Sequence, residues 1–533
     1  MTRRRKHWGW GFEDQQPSHE QVEAAAAGAR AHLGFPAEEV ERPAPLESIE
    51  LAPPRLDPPA SLAPICATDR YERVTHSYGK SYRDVVRAFR GRFDNPTDVV
   101  ARPAGEADLE RVLAWCEEAG AAAIPYGGGT SVVGGVEPPG ERPSVTIDMG
   151  SMDRVLEVDR ESRAALIQAG VLGPALEDQL REHGLTLRHF PQSFEYSSLG
   201  GWIATRAGGH YATLHTHIDD FVESIRALTP RGPWGSRRLP GSGAGPSPDR
   251  MLIGSEGILG VITEAWMRLQ DAPRFKESAG VLFESFESGA QAVRALSQSG
   301  LHPSNCRLLD GDEAAVTGAV PPEAGGRPAL LVLGFESADH ELGPWMSRAL
   351  ELCEDHGGRP RERRSPADER PAGGRGEAET AWRDAFLQAP YLRDTLVAAG
   401  IFAETFETAV TWDRFEELVA GVRQSTREAL GGDGTVTCRL THVYPDGAAP
   451  YFTVLAPARR GDELAQWEEI KAAGSEVIAS AGGTITHHHA VGRDHRPWLD
   501  LQRPDRFADA LAGAKAAVDP AGILNPGVLI DPQ

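Results

Sequence analysis

The sequence predicts an α+β protein that has a glycine-rich ligand-binding domain and a separate α+β cap domain with an antiparallel sheet. Glycine- and serine-rich turns lie among short β-rich segments at 125–136, 189–220 and 253–269. From about 280 to 474 strand-like runs precede helix-like runs, a pattern typical of an antiparallel sheet covered by helices. The chain of 533 residues is long enough to hold both domains.

Composition and charge exclude several function classes. The formal net charge of −22 argues against nucleic acid or an anionic membrane as the main partner, because phosphate repels such a surface. The basic start "TRRRKH" lacks the apolar segment of a secretory signal, and no lipid-attachment or organelle-address motif closes the sequence at "LIDPQ". The five cysteines are scattered without CxxC spacing. We therefore expect a cytoplasmic protein with reduced thiols.

The elements before the first glycine-rich turn can be assigned in order. Residues 13–65 are rich in Pro, Ala and Glu and predict an extended arm on the surface. A helix is predicted over 107–120, which Gly120 ends; the apolar face consists of Leu109, Val112, Leu113 and Cys116. The run "AAAIP" then predicts a short buried strand that leads directly into the turn.

The stretch "PYGGGTSVVGGV" at 125–136 has two readings. Ordering glycine on folding costs conformational entropy, so a run of glycines indicates that a backbone without side chains is required here. Either a tight turn or an anion cradle of N–H groups would require it. A dinucleotide fingerprint or a Walker loop must open a helix, but "SVTIDMG", "RVLEVD" and "AALIQAG" follow as β-rich segments. The loop also lacks a closing Lys-Ser/Thr pair. Both familiar nucleotide motifs are therefore excluded.

Later segments complete the plan. Residues 231–250 and 357–376 are predicted to be exposed loops, and a helix is predicted over 411–431. The strings "AGGTITHHHAVGRDHRPWL" and "VDPAGILNPGVLI" return to a Gly- and His-rich composition that could carry chemistry. Because several Gly/Ser-rich turns lie among strands, we expect one long ligand to cross the first domain.

Several strings together resemble a known family. "PYGGGTSV", "GSEGILGVIT" and "DPAGILNPG" are similar to the FAD-binding domain of the vanillyl-alcohol-oxidase/p-cresol-methylhydroxylase superfamily. "HWGWGFED", "SLGGWIATRAGGH", "PYLRD", "TFETAVTWDR" and "THHHAVGRDH" resemble the alkylglycerone-phosphate synthase family within it. The resemblance implies an arm with a helical segment at 1–92, a two-subdomain FAD-binding domain at 93–272, a cap domain at 273–482, and a C-terminal segment at 483–533 that completes the active site.

The resemblance implies non-covalent FAD, since the loop contains no His or Cys. The N–H groups of Gly127 to Ser131 would bind the diphosphate, with hydroxyl groups of Thr130 and Ser131 as further donors. The implied cofactor-binding residues are Pro125, Tyr126, Gly127, Gly128, Gly129, Thr130, Ser131, Gln192, Ser193, Ser197, Ser198, Thr205, Arg206, Ala207, Gly208, Glu256, Gly257, Ile258, Leu259, Gly260, Val261 and Ile262.

The resemblance also implies a reaction without net redox change, in which a fatty alcohol replaces the acyl group of acyl-dihydroxyacetone phosphate. Tyr451 matches the family's catalytic tyrosine; the alternative is a structural tyrosine of the cap sheet. A phenol can act as a base only where nearby cations stabilise the phenolate. Arg393 matches the substrate-phosphate arginine, and Arg307 matches a second arginine needed for activity. His189 and Thr405 match further active-site positions.

The triplet His487, His488 and His489 is the densest polar cluster. A metal site is one interpretation, because histidine is the commonest metal ligand, but the HExxH spacing and the glutamate of related 2-hydroxyacid dehydrogenases are absent. We interpret His488 and His489 as acid/base or phosphate-contacting groups and His487 as a substrate contact, without a metal.

One departure keeps a second function open. The family has an acidic residue where this chain has Gln192, and an amide cannot tune protonation as a carboxylate would. The alternative is an FAD-dependent oxidoreductase acting on a 2-hydroxy acid or an alcohol. In either case we expect a small-molecule substrate, lipid-like in the first, and no nucleic-acid partner. We also expect a homodimer and a peripheral membrane contact.

Overall fold

The computed structural model describes residues 3–320, 326–364 and 392–530. Its fold is the predicted α+β arrangement, built on three larger sheets and one two-stranded sheet. The strands are β1 Cys66–Ala67, β2 Val99–Ala101, β3 Ala122–Tyr126, β4 Ser144–Asp148, β5 Val155–Asp159, β6 Ala164–Gln168, β7 Leu185–Thr186, β8 Val222–Thr229, β9 Gly232–Gly235, β10 Val261–Arg268, β11 Gln270–Asp271, β12 Phe275–Phe283, β13 Asn305–Leu309, β14 Ala329–Ser337, β15 Arg359–Arg364, β16 Ile401–Glu407, β17 Val410–Thr411, β18 Thr435–Val443 and β19 Gly447–Pro457.

Helices cover these sheets on their outer faces. They are α1 His19–Leu33, α2 Arg70–Thr75, α3 Tyr82–Phe89, α4 Glu106–Ala119, α5 Gly173–Arg181, α6 Leu199–Thr205, α7 Pro248–Leu252, α8 Phe286–Gln298, α9 Gly311–Val316, α10 Gly343–Glu354, α11 Phe415–Ala429, α12 Glu463–Ser480, α13 Arg496–Gln502 and α14 Asp505–Val518. Short 3-10 turns lie at Glu13–Gln15, Leu46–Ser48, Ala63–Ile65, Met149–Ser151 and Ile218–Asp220.

The first sheet carries the glycine-rich loop. Its strand order is β1-β2-β4-β3, and β2, β4 and β3 run parallel. The apolar face of α4 packs on this sheet, as the periodicity predicts, and Gly120 ends the helix at φ +61°. The loop leaves the carboxyl end of β3, which is where open sheets with parallel strands bind ligands.

The second sheet is antiparallel, in the order β5-β6-β10-β8-β9. Helix α6 packs against it, and the Ser198 hydroxyl caps this helix by accepting the N–H of Gly201 at 3.3 Å. The start of α6 therefore lies beside the loop that follows β3.

The cap holds the largest sheet, with the order β15-β12-β14-β13-β18-β19-β16 and β17 on β19. Helices α8, α10 and α11 pack on one face, and this contact forms the main apolar core. The opposite face of β16, β19 and β18 is free of these helices and turns toward the glycine-rich loop.

Three predictions about elements need correction or limits. The arm is not extended throughout, because 19–33 forms α1, with a Ser18–Gln21 capping box at one end and Gly34 at φ +73° at the other. The segment 231–250 contains β9 and α7 as well as loops. The predicted loop at 357–376 includes β15, and its part from 365 onward lies outside the described residues.

Candidate functional site

A cavity of about 770 Å³ lies between the glycine-rich loop and the open face of the cap sheet. It brings together most of the residues that the sequence predicted. Those lining it are Pro125, Tyr126, Gly127, Gly128, Gly129, Thr130, Ser131, Gln192, Ser193, Ser197, Ser198, Thr205, Ala207, Gly208, Glu256, Gly257, Gly260, Val261, Ile262, Arg307, Arg393, Thr405, Tyr451, His488 and His489. Arg206, Ile258, Leu259, His189 and His487 are not among its lining residues.

The loop that forms the floor of the cavity has no room for side chains at its three consecutive glycines, Gly127, Gly128 and Gly129. A Cβ on Gly128 would lie 1.6 Å from the carbonyl oxygen of Tyr196, and one on Gly127 would lie 2.1 Å from Ser198 Oγ. Gly129 has φ +66°, a left-handed conformation that favours glycine. The backbone of this turn is therefore exposed to the cavity and lies next to the start of α6, as an anion cradle requires.

Glu256 joins the floor to the C-terminal segment. Its carboxylate accepts the N–H groups of Val491 at 2.9 Å and Gly492 at 2.8 Å, while its carbonyl accepts the Asn525 amide at 2.7 Å. Burial raises the pKa of Glu256 to about 7. This residue therefore positions the chain that follows the histidine triplet.

The roof of the cavity is a series of residue rows that cross the cap sheet. In the first row Glu407 pairs with Tyr451, which pairs with Arg439 on the next strand. The second row is formed by three hydroxyl-bearing residues, Thr405, Thr453 and Thr437.

Farther along the sheet the roof becomes apolar, because Ala403 pairs with Leu455. Both lie in an apolar cluster with Ala26 of α1 and with Leu396 and Ile401. Residues in one row project from the same face, so the roof changes from charged to hydroxylic to apolar along the cavity.

Tyr451 lies beside a cation. The Arg439 guanidinium stacks on its ring, with Cζ 3.9 Å from the ring centroid, and Arg439 also pairs with the buried carboxylate of Glu313. Tyr451 is 5% exposed and lines the cavity. A guanidinium group therefore contacts the face of the phenol that the resemblance assigns to the chemistry.

Glu407 holds the histidine triplet in place. Its carboxylate accepts the N–H groups of His487 and His489, each at 2.8 Å, that of His488 at 3.0 Å, and the Thr486 hydroxyl at 2.5 Å. His488 Nδ1 lies 3.3 Å from Glu407. Burial alone would raise the pKa of Glu407, but His488 and His489 hold it well below its ordinary value. One anionic side chain therefore organises the whole turn next to Tyr451.

The histidines form a larger buried group. Imidazole nitrogens of His442, His487 and His488 lie within 4.8 Å of one another, a spacing that a metal ion could bridge. His442 Nε2 also lies 3.1 Å from the Gly209 carbonyl, and His487 Nε2 lies 2.6 Å from the Tyr444 hydroxyl. Burial lowers the pKa of His442 and of His487 well below the ordinary value, so both are neutral at pH 7. The acid/base roles of His488 and His489 and the substrate contact of His487 stay predictions.

The two predicted arginines lie at different places around the cavity. Arg307 is 6% exposed, and its Nη2 donates to the His210 carbonyl at 3.2 Å. Burial and the charge of Arg439 lower the pKa of Arg307 to about 9, so an anion in the cavity would stabilise its charged form. Arg393 Nη1 donates to the Lys80 carbonyl at 2.9 Å, close to the floor.

The residues away from the cavity occupy supporting positions. His189 packs between Trp202 and Phe221, with ring centroids 5.3 and 5.7 Å away, and burial lowers its pKa to about 3. Arg206 forms an ion pair with Asp219 at 2.8 Å. His487 lies behind His488 and contacts His217.

Sequence reasoning missed several contributors, Arg439 among them. Glu407 stands in "TFETAV", but nothing in that string indicates that its carboxylate gathers three backbone amides. Trp10 and residues of α1 also line the cavity, although the composition of the arm predicted only a surface wrapping. The tryptophans in "HWGWG" were the available signal, because large aromatic residues in an arm usually pack against something.

Comparison with known proteins adds independent findings. Residues 97–234 match the family described as an FAD binding domain, and residues 272–529 match the C-terminal domain of FAD linked oxidases. An alkyldihydroxyacetonephosphate synthase of Trypanosoma brucei brucei is 31% identical, over 87% of this chain and 78% of that protein. A glycolate oxidase subunit of Bacillus subtilis is 26% identical, over 82% of this chain and 89% of its own length.

A solved structure of an alkyldihydroxyacetonephosphate synthase has the same architecture. It superposes with a TM-score of 0.81 at 26% identity, and the match covers 98% of both chains. Among the described residues, no helix combines the length and the apolar character that crossing a bilayer would need.

These findings identify FAD as the cofactor, and the floor of the cavity fits it. The turn at 127–131 leaves backbone free for a diphosphate, and extra side-chain atoms at Gly127 or Gly128 would collide with the chain at 196–198. The hydroxyl groups of Thr130 and Ser131 line the same wall as candidate donors.

Proposed function

The chain belongs to the alkyldihydroxyacetonephosphate synthase family of FAD-linked enzymes, and from this premise we propose that it makes an ether lipid precursor. In the proposed reaction a fatty alcohol replaces the acyl group of acyl-dihydroxyacetone phosphate. The bond between the ester oxygen and the dihydroxyacetone carbon breaks, and the acyl group leaves as a carboxylate that carries this oxygen. The alcohol oxygen bonds to the same dihydroxyacetone carbon, and the alcohol proton passes to a base. Bound FAD supplies an electron-poor ring system that can accommodate charge developing on that carbon.

The observation that carries this proposal is the order of the rows in the roof. A substrate with a phosphate at one end and an alkyl chain at the other needs cations, then hydrogen-bonding groups, then an apolar wall. Arg439 and the neighbouring Arg307 occupy the first region, the threonines the second, and Ala403 with Leu455 the third. A small 2-hydroxy acid would leave the apolar end without a function.

Acid/base roles follow from position. Tyr451 and the nearby His488 both line the cavity, with ring centroids 6.2 Å apart, so either can exchange a proton with a group held between them and the floor. Arg393 and Arg307 lie on the cavity wall and provide guanidinium forks suited to a phosphate dianion.

The decisive experiment is incubation of the purified protein with acyl-dihydroxyacetone phosphate and hexadecanol, followed by mass spectrometry of the lipid products. We expect the alkyl ether and one equivalent of carboxylate. Release of carboxylate without ether, or no reaction, would contradict the proposal. Anaerobic bleaching of the flavin by a 2-hydroxy acid would instead support the oxidoreductase that the match to a glycolate oxidase subunit suggests.

The alkyl end can be tested through α1. Gly28 lines the cavity, and a side chain at this position would meet nothing within 4 Å. Gly28→Leu should therefore fill the part of the cavity next to α1 and raise the KM for hexadecanol about tenfold relative to the KM for decanol. Gly28→Ala is the matched control and should leave the ratio of the two KM values unchanged. Equal KM ratios in both variants would show that the alkyl chain of the substrate binds elsewhere.

We further propose that the protein is a cytoplasmic homodimer that contacts a membrane peripherally. The support for the membrane contact is chemical: both lipid substrates are poorly soluble in water and are most easily taken from a bilayer surface. Light scattering gives the mass in solution, and co-sedimentation with phosphatidylcholine vesicles tests the contact. A monomeric mass would refute the homodimer, and protein that stays in the supernatant at all lipid concentrations would refute the membrane contact.

A further inference from the structure

The arm begins with a compact loop that is buried against the rest of the molecule. Arg5 forms a β-bridge with Phe12, and the Lys6 N–H donates to the Gly11 carbonyl at 3.1 Å. Trp8 packs edge-on against Phe89, with ring centroids 5.1 Å apart. Burying the ammonium group of Lys6 costs free energy unless it is paired, so the burial here needs a physical cause.

One end of this loop contacts the cofactor floor from behind. Arg5 Nη1 donates to the carbonyl of Gly128 at 2.5 Å, and the Arg5 carbonyl accepts the Tyr71 hydroxyl at 3.1 Å. Arg5 is not among the residues that line the cavity. Because a peptide unit is planar and trans, a Gly128 carbonyl held toward Arg5 directs the N–H of Gly129 to the opposite side.

The other end of the loop holds the neighbour of a predicted substrate residue. Lys6 Nζ lies 2.9 Å from Asp394, with the two side chains 4% and 7% exposed, and the Trp10 N–H donates to the same carboxylate at 3.0 Å. A Cβ on Gly9 would lie 2.2 Å from Asp394, so this close approach requires glycine. Asp394 directly follows Arg393 in the sequence.

Lys80 connects the same two places by its backbone. Its N–H donates to the Ser131 carbonyl at 2.6 Å, and its carbonyl accepts Arg393 Nη1 at 2.9 Å. The cofactor loop and Arg393 are thus joined twice, once through Lys80 and once through residues 5–10. Because two independent links join them, the distance between the cofactor loop and Arg393 is restricted.

We propose that residues 5–10 form a clamp that couples the FAD diphosphate loop to Arg393. Arg5 is a positioning residue for the cofactor loop, and Lys6 is a positioning residue for Arg393 through Asp394. The second half of this statement rests on the proposed function, in which Arg393 binds the substrate phosphate; the first half does not.

The test measures FAD affinity by flavin fluorescence after reconstitution of the deflavinated full-length protein. Arg5→Ala should weaken FAD binding about tenfold, and Arg5→Lys, which keeps a cationic donor, should recover most of the affinity. Arg3→Ala removes the same charge from an exposed ion pair with Asp14 and should change the affinity less than twofold. Unchanged affinity in Arg5→Ala, or equal losses in the Ala and Lys variants, would overturn the role of Arg5.

The second arm uses FAD-loaded protein and the binding of alkyl-dihydroxyacetone phosphate, followed by the change in flavin absorbance. Lys6→Met should weaken this binding at least fivefold while FAD stays bound, whereas Arg3→Ala should not. Equal binding by Lys6→Met and the parent protein would overturn the coupling. If the parent protein itself fails to bind the compound while Arg5→Ala still loses FAD, the proposed function fails and the cofactor half of the clamp stands.

Discussion

The floor and the roof of the cavity bind their ligands by different means. The floor presents backbone, and Gly127 and Gly128 are needed because a side chain at either position would collide with residues 196–198. The roof presents side chains of Tyr451, Arg439 and Glu407, aligned by strand register. The comparison leads us to expect that different substitutions affect cofactor retention and turnover, since no side chain of the first row holds the floor loop in the described contacts.

The largest expected effect comes from the roof. Tyr451→Phe removes the phenolic oxygen but keeps the ring that Arg439 stacks on, so turnover should fall about 1,000-fold while FAD stays bound. The measurement is ether formation together with the visible flavin spectrum. Tyr78→Phe, which changes a buried tyrosine bonded to the Arg92 carbonyl, is the control. Equal rates for both variants would remove Tyr451 from the chemistry.

The next largest effect is expected from the floor, and it concerns FAD affinity instead of turnover. Gly128→Ala places a methyl group against the Tyr196 carbonyl, so the loop must shift and FAD affinity should fall about 100-fold. Gly105→Ala adds the same methyl group where nothing lies within 4 Å and should leave the affinity unchanged. Fluorescence titration of the deflavinated proteins gives both values. If Gly128→Ala retained FAD and lost turnover instead, the division between floor and roof would be wrong.

A third variant sharpens the description of the roof. Glu407→Gln replaces one acceptor oxygen by an NH₂ group that opposes the backbone N–H groups of 487–489, so about 2 kcal/mol of positioning is lost. We expect turnover to fall about 30-fold with little change in FAD affinity. Glu416→Gln, at an exposed position of α11, serves as the control. A variant that loses FAD with turnover would show that the histidine turn also supports the floor.

The smallest expected effect concerns stability and pH. The pKa of buried His189 is lowered to about 3, whereas in the unfolded chain it has its ordinary value of about 6.5. Below pH 6.5 the unfolded chain therefore binds a proton that the folded protein does not, and stability is lost as the pH falls. Between pH 7.5 and 5 this residue should account for about 2 kcal/mol of the free energy of unfolding.

Urea unfolding of the parent protein and of His189→Asn at both pH values measures this contribution. The difference in unfolding free energy between pH 7.5 and 5 should be smaller in the variant. Identical pH dependence in the two proteins would mean that His189 is protonated in the folded state.

The sequence predicted well those features that depend on local pattern. The helix predicted at 107–120 is α4, the run "AAAIP" is part of β3, and the glycines of the loop mark a backbone that must stay bare. These features depend on residues close together in the chain. The same holds for the strand–helix units of the cap.

The parts that local pattern missed depend on distant neighbours. The long segment after 435 contains two strands that form a hairpin, and only their register places Arg439 beside Tyr451. The role of Glu407 depends on a turn 80 residues later, since the His487 N–H that it accepts is separated from it by that distance. The proline content of the arm predicts only a surface wrapping, whereas the hydrogen bond from Arg5 to Gly128 joins residues 123 positions apart.

One tie of this kind bears on how the protein is made. The N–H of Ala123 in β3 donates to the carbonyl of Ile523, and the N–H of Asn525 donates back to the carbonyl of Ala123. During translation β3 can form these two hydrogen bonds only after residues 523–525 have been synthesised. By then the whole intervening cap is already leaving the ribosome. The cap therefore has the chance to fold before β3 gains its bonds to residues 523 and 525.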